Sequence, residues 1–409
     1  MKSGWVAMLG GVLVMAVVGV LLKVGKRVEE VREVVKVEEV LEEGVWVFPK
    51  EQVRFDARFP RARLSECESL GEGMFGLVVR PENLPVNNSP WFAFRVSCEV
   101  ERKVVVRLRV QGGNLRYRPK VSVDGMTWVT LPEEAYQHDD AKEECVLKLE
   151  VGPKVLWVAA QELVSTQEML DWAGALERLP FVEGKTFGRS VGGQRLCRLD
   201  IGDQKAERAV VIIGRQHPPE TTGSLALMRF VEEIAGDSDL ARSFRGQFHC
   251  VVMPLLNPDG VDAGNWRHNL GRVDLNRDWK DFNQPETRAV RDQIVALGKA
   301  KKLRLMLDFH STFKDVFYTQ PDEAVSSPAG FTRLWLEALE TRLPEYEAKR
   351  EASPVPTPTT STYWGYHTFG IPAITYEIGD NTDRALLKTV AATAAREMMR
   401  LMLEMKEAP

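Results

Sequence analysis

Residues 209–220 read AVVIIGRQHPPE. Five consecutive apolar residues without polar alternation suit a strand buried on both faces, as in a parallel sheet covered by helices. A polar cluster, His217 to Glu220, follows at once. Three more runs repeat the pattern. FHCVVMPLL (248–256) leads into Asn257-Pro258-Asp259-Gly260, LRLMLDF (303–309) leads into His310, and PAITYEI (372–378) carries Glu377 near its end. Helical spacing appears between and after these runs, at about 221–235, 284–300, 328–343 and 383–406, with a further helix at 167–179. Strands alternating with helices predict an α/β domain over residues 166–409. In open α/β sheets ligands bind outside the carboxyl ends of the strands. Four strand ends would therefore converge on His217, Glu220, Arg267, Arg277, His310 and Glu377.

The chemistry of that set is specific. A His and a Glu three apart, at a strand-to-helix turn, can place a nitrogen and a carboxylate on one ion. A distant His completes a three-ligand catalytic zinc site with one position left for water. Bound zinc lowers the pKa of its water towards ~7, and a carboxylate that is not a ligand can then take the proton. Alone, His-x-x-Glu is a weak signal, and a lone buried His is more often a hydrogen-bonded core residue. Arg267 and Arg277, taken singly, read as surface ion-pair residues. An acid deep in the apolar run ITYEI, however, is costly without a role.

Residues 257–279 read NPDGVDAGNWRHNLGRVDLNRDW. With His217-x-x-Glu220 before it and His310 and Glu377 after it, this loop resembles the zinc carboxypeptidases of the carboxypeptidase A type, and the cytosolic-carboxypeptidase subgroup in particular. The resemblance covers about 170–400. It implies a mixed β-sheet flanked by helices, one Zn2+ per chain held by His217, Glu220 and His310, and hydrolysis of the C-terminal bond of a peptide or protein. It implies Glu377 as general base, Arg267 as the group that stabilises the oxyanion, and Asn276 and Arg277 as anchors of the terminal carboxylate. Asp274 would orient a zinc-binding His. The family's mobile tyrosine is matched by both Tyr363 and Tyr366. Arg215 would line the pocket or pair structurally, whereas His268 and His249 match no ligand position. His138 and His367 read as structural or exposed. After the third ligand the chain has His-Ser-Thr-Phe-Lys, where the subgroup more often has His-Gly-His. A related reading is a zinc amidohydrolase of the aspartoacylase or succinylglutamate-desuccinylase type, which shares the fold and the metal set; a hydrolase of cell-wall peptides is another. Removal of a C-terminal Glu is one candidate specificity.

Upstream the texture changes. Residues 45–165 carry short runs such as WFAFRVSCEV (91–100) and KVVVRLRV (103–110), with Asp124-Gly125 as a hairpin cue. They predict a small all-β sandwich preceding the catalytic domain. Residues 4–22 are 19 uncharged, mostly apolar positions bracketed by Lys2 and by Lys23, Lys26 and Arg27. At ~1.5 Å per residue they just span a bilayer core. We expect an N-terminal transmembrane helix within residues 1–27, an anchor rather than a cleaved signal peptide, then a charged helical stalk over 28–44. The expected setting is a single-pass membrane protein with an extracytoplasmic catalytic domain, although the heavier positive flank after the span points the other way.

Composition bounds the rest. The chain has 409 residues, 44% hydrophobic and 27% charged, which suits a sizeable globular core of two domains or three. A formal net charge of −4 gives no pull towards nucleic acid. The five cysteines show no C-x-x-C spacing, which excludes a zinc ribbon and a dense disulfide framework. Ser353–Thr362 reads as a Pro/Thr-rich loop.

Overall fold

The computed structural model describes residues 43–139, 144–352 and 357–405. The expected anchor at 1–27, and the stalk except for residues 43 and 44, lie outside them. Among the described residues no helix is long and apolar enough to cross a membrane.

Among the described residues, eleven strands come first: β1 (Val45–Phe48), β2 (Val53–Asp56), β3 (Glu66–Gly71), β4 (Met74–Val79), β5 (Ala93–Cys98), β6 (Arg102–Val110), β7 (Lys120–Ser122), β8 (Val129–Thr130), β9 (Tyr136–Asp139), β10 (Glu144–Val151) and β11 (Leu156–Ala159). They form two sheets, ordered β1-β2-β5-β11-β7-β8 and β3-β4-β6-β10-β9. In β6 the period of two is plain: Val104, Val106, Leu108 and Val110 are buried, while Lys103, Arg107 and Arg109 are exposed. The inner faces share one core that includes Phe55, Phe75, Phe94, Leu147 and Val158. Asp124 accepts from the backbone N–H of Met126 and Thr127 in the turn between β7 and β8. All five cysteines are free thiols.

The α/β part follows: α1 (Thr166–Leu176), β12 (Val182–Arg189), β13 (Arg195–Gly202), β14 (Arg208–Gly214), α2 (Thr221–Ile234), α3 (Asp239–Arg245), β15 (Phe248–Met253), α4 (Pro258–Asp262), α5 (Pro285–Ala300), β16 (Lys302–Thr312), β17 (Val316–Thr319), α6 (Phe331–Arg342), β18 (Arg350–Ala352), α7 (Ser361–Phe369), β19 (Ala373–Gly379) and α8 (Arg384–Glu404). Its sheet is mixed, ordered β12-β13-β15-β14-β16-β19-β17-β18. The centre, β15-β14-β16-β19, is parallel. The apolar runs are continuous because both faces are covered. Val210, Ile212, Leu305, Leu307, Ile374 and Tyr376 pack on one face with side chains of α2, α3, α6 and α8. Ala209, Val211, Ile213, Met306 and Ala373 pack on the other with α5 and the loop bearing Leu275 and Trp279.

That alternation positions the polar residues. Asp308 and His310 share the second face of β16, and Thr375 and Glu377 share it on β19. In-register pairing sets Asp308 beside Thr375 and His310 beside Glu377. Two glycines bring helices close to this region. A Cβ on Gly223 of α2 would lie 2.6 Å from the His310 carbonyl oxygen, and one on Gly365 of α7 would lie 2.6 Å from the Met306 sulfur. Helix α7 begins inside the segment read as a loop. Its sequence STYWGYHTF has little helical amphipathicity, so periodicity does not reveal it. It is capped by Thr360, whose side chain accepts from the Tyr363 N–H, and it is held by packing on β16 and β19.

The loop at 257–279 crosses to the sandwich. Trp266 is fully buried in the sandwich core, and its indole N–H donates to the Trp91 carbonyl at 2.9 Å. Trp266→Ala should therefore destabilise the protein by ~3–5 kcal/mol, the usual cost of emptying a buried aromatic site. Denaturant unfolding against the wild type measures this.

Candidate metal centre and active-site cleft

His217 leaves the end of β14, and Glu220 occupies the residue before α2. Its carboxylate does not cap the helix; it turns to the imidazoles instead. Glu220 Oε1 lies 2.7 Å from His217 Nδ1, and Oε2 lies 2.8 Å from His310 Nδ1. The two Nδ1 atoms are 3.2 Å apart. All three side chains are buried, and their donor atoms lie within 4.8 Å of one another. The far nitrogens are held by carboxylates. His217 Nε2 is 3.0 Å from Asp274 Oδ1, and His310 Nε2 is 2.9 Å from Asp308 Oδ2. With Nε2–H donated to a carboxylate, each ring presents the Nδ1 lone pair inward, the tautomer a metal ligand needs. Two imidazoles and a carboxylate fit zinc's donor preferences and leave a fourth position open.

Burial alone would raise the Glu220 and Asp274 carboxyls. The adjacent His217, with His310 beside Glu220 and Arg267 and Arg277 beside Asp274, holds both well below the usual range. Glu377 behaves oppositely: burial dominates and pushes it up to about 8, with His310 pulling down and Glu220 pushing up. Its Oε2 has no hydrogen-bond partner. A desolvated carboxyl beside the metal-binding trio and free of partners is suited to carry a proton.

The turn before His217 is braced. Arg215 is a non-glycine residue at φ 53°. It is buried and does not line the cleft, and its guanidinium donates to the Pro218 carbonyl at 3.0 Å and to Ser224 Oγ at 2.7 Å. Arg215 is thus a brace of the His217–Glu220 turn, with carbonyl and hydroxyl acceptors. Local strain of this kind persists only where surroundings over-determine it.

These groups open onto a cleft of about 760 Å³. Arg267 lines it, with Nε donating to Asp274 Oδ2 at 2.8 Å. Asn276 Nδ2 reaches within 3.4 Å of His310 Nε2, while its Oδ1 accepts from the Ser361 N–H. Arg277 lines the cleft and is exposed to it. Tyr363 and Tyr366 both line it from α7; the Tyr366 hydroxyl donates to the Val325 carbonyl at 3.2 Å. His367, read as structural or exposed, is exposed and lines the cleft beside the Tyr363 ring. His268 meets Glu82, and His249 pairs with Asp200 away from the cleft.

Sequence reasoning missed three contributors. Asp308 was signalled only by its alternation with His310 on one strand face. Arg116, from the sandwich, lines the cleft and forks onto Asp380 through Nε (2.5 Å) and Nη2 (3.1 Å), and it reaches the Ser311 carbonyl. Glu82, also from the sandwich, accepts the backbone N–H groups of Trp266, Arg267 and His268 at 2.7, 3.0 and 2.7 Å. Neither Arg116 nor Glu82 sits in a motif. Both act through contacts distant in sequence.

Residues 169–399 match the zinc carboxypeptidase family model. The chain belongs to that family. Among curated relatives it is 26% identical over 306 residues to cytosolic carboxypeptidase 2 of Danio rerio, covering 63% of this chain and 40% of that protein. It is 24% identical over 321 residues to cytosolic carboxypeptidase 6 of Caenorhabditis elegans, covering 71% and 70%. The chain spans 29% of the matched cytosolic carboxypeptidase 3 of Bos taurus, so it is well under two thirds the length of several relatives. Its fold is that of a metallo-carboxypeptidase from Burkholderia cenocepacia (TM-score 0.74, 20% identity, 86% of this chain and 98% of that one). A metallo-carboxypeptidase from Pseudomonas aeruginosa gives TM-score 0.72 at 19% identity over 86% and 100%. The mixed sheet with its preceding sandwich is thus a shared architecture.

Two outcomes are expected from this geometry. Asp308→Asn should weaken zinc binding ~10–100-fold while leaving the fold intact, as measured by chelator competition. Glu82 supplies a pH signature. Burial pushes its carboxyl up, but hydrogen bonds from His268 and Trp266 overcome this and hold it at about 2, against an ordinary 4.5. A depressed folded pKa means stability present above the ordinary value and lost as pH falls towards the folded one. The melting-temperature gap between wild type and Glu82→Gln should be largest above about pH 5 and shrink towards pH 2.

Proposed function

We propose that this protein is a zinc-dependent metallocarboxypeptidase that hydrolyses the C-terminal peptide bond of peptides or proteins. The observation that carries the reading is the buried His217–Glu220–His310 trio with the partnerless Glu377 carboxyl in register beside it. His217, Glu220 and His310 would hold one zinc ion per chain. When bound, zinc supplies a Lewis acid for the scissile carbonyl and acidifies the attacking water. Glu377 takes the proton from water and returns it to the leaving amine. Arg267, steadied by Asp274 and by the Glu82-bound backbone, donates to the oxygen on which negative charge develops. Asn276 and Arg277 hold the free terminal carboxylate, Arg277 as a two-pronged fork that an ammonium cannot copy. Tyr363 closes over the substrate, because the Tyr366 hydroxyl is already bound to a carbonyl whereas the Tyr363 hydroxyl makes no hydrogen bond among the described residues.

A matched pair of peptides, one with a free and one with an amidated C-terminus, tests the reading. Wild type should cleave only the free form, and Arg277→Lys should lose most of that turnover while retaining zinc. Equal rates on the two peptides would exclude an exopeptidase, and cleavage of N-acyl amino acids in place of peptides would favour the amidohydrolase. Glu377→Gln should bind zinc normally and lose ~10²–10⁴-fold in turnover; activity within about threefold of wild type would remove Glu377 from the mechanism.

A further inference from the structure

The part of the cleft that receives the departing residue can be located. On β19, Thr375 sits two residues before Glu377 on the same face, ~7 Å further along at ~3.4 Å per residue. Tyr318 of β17 is its register partner on one side. On its other side is Asp308 of β16, and over both strands packs α7, whose first residue, Ser361, donates its backbone N–H to Asn276. Past Glu377 the cleft is lined by Arg116, which is held by the buried Asp380. A peptide whose terminal carboxylate sits on Asn276 and Arg277 therefore lays its last side chain among Tyr318, Gln320, Thr362, Tyr366 and Thr375.

Those five side chains are polar but uncharged, with His367 adjoining Tyr366, and Gln320, Thr362, Tyr366 and Thr375 already have hydrogen-bond partners. Thr362 Oγ1 and Thr375 Oγ1 lie 3.2 Å apart. The Gln320 side chain donates to the Ala373 carbonyl at 2.6 Å and accepts from the Ala373 N–H at 3.2 Å. Arg350, behind Thr319, is turned to Asp322 and to the Gln320 carbonyl. The charge balance of the cleft points the same way. Arg116 is on Asp380, and Arg267 is on Asp274. Among the described residues lining the cleft, Arg277 is the one arginine without a direct carboxylate contact; its guanidinium donates to the Asn276 carbonyl, and Asp274 acts on it only from a distance. It offers a place for one carboxylate, and the substrate's terminus takes it. Among the five side chains of that wall an acidic last residue meets no cation and a basic one no carboxylate; the unpartnered Glu377 lies two residues further along β19, beside the His217–Glu220–His310 trio. Either charge would be desolvated unpaired.

Resting on the carboxypeptidase reading, we infer that this chain removes C-terminal residues with uncharged side chains and rejects both acidic and basic ones. This differs from Glu removal, the candidate specificity that the resemblance to the cytosolic subgroup implies. The test uses N-acylated dipeptides identical except for a last residue of Leu, Gln, Glu or Lys. Two quantities are read: kcat/KM with the zinc-loaded wild type, and equilibrium binding to zinc-loaded Glu377→Gln. The Leu and Gln peptides should exceed the Glu and Lys peptides at least about 10-fold in both. Thr362→Lys, on the half-buried face of α7, should shift the Glu-to-Leu binding ratio towards Glu by a similar factor. If Leu and Gln peptides bind selectively but none is cleaved, the pocket assignment stands and the carboxypeptidase reading falls. Glu or Lys peptides binding as well as Leu, or no peptide binding at all, would overturn the pocket assignment; the wild-type ranking decides this even if Thr362→Lys does not fold.

Discussion

Two imidazole rings face each other across one carboxylate because each has its far nitrogen tied to a buried aspartate. That constraint organises the centre of the molecule. Asp308 can hold His310 only because both lie on one face of β16, two residues apart. Asp274 can hold His217 only because the 257–279 loop folds back under the end of β14. Glu220, drawn between the rings, forgoes capping α2, and the turn that delivers it is braced by Arg215 in a left-handed backbone conformation. Gly223 then lets α2 approach the His310 backbone more closely than any Cβ would allow. The left-handed backbone of Arg215 and the uncapped start of α2 both fall at this turn, as expected where a site is held against local preference.

The sandwich is part of this arrangement. Its Glu82 gathers three consecutive backbone N–H groups around Arg267, and its core swallows Trp266, the residue just before Arg267. Its Arg116 clasps Asp380 and the Ser311 carbonyl, just past Glu377 on β19 and His310 on β16. Arg267 is thus placed from the sandwich side and Glu377 from the sheet side, and their relation depends on the packing between the two. The same contacts fill one end of the cleft and leave the uncharged end for the departing residue.

Much of this was legible in the sequence, for identifiable reasons. Runs such as AVVIIG and ITYEI announce strands covered on both faces, and residues just past them fall at the sheet's functional edge. His217, Glu220, His310 and Glu377 were therefore visible as a set, and the loop motif added Arg267, Asp274, Asn276 and Arg277. Glu82 and Arg116 were not, because the partners that tie them to the α/β part lie more than 180 residues away and their own surroundings read as ordinary sandwich. Helix α7 was hidden because its STYWGYHTF sequence lacks an amphipathic period and is held by tertiary contacts. Arg215 left two readings open, lining the pocket or pairing structurally, and the fold buries it as a brace on carbonyl and hydroxyl acceptors. The wall of the cleft, made of threonines and tyrosines from three separate elements, carries no sequence signal until the sheet order brings them together.

We propose that one metal ion sits on the inward-facing nitrogens of two carboxylate-tethered imidazoles. Anomalous diffraction at the zinc edge from crystals of the zinc-loaded protein tests it most directly. One peak per chain is expected within ~2.0–2.2 Å of His217 Nδ1, His310 Nδ1 and a Glu220 oxygen, with Asp274 and Asp308 remaining on the two Nε2 atoms. A peak elsewhere, coordination through Nε2, or no bound metal at a site otherwise folded as described would contradict it.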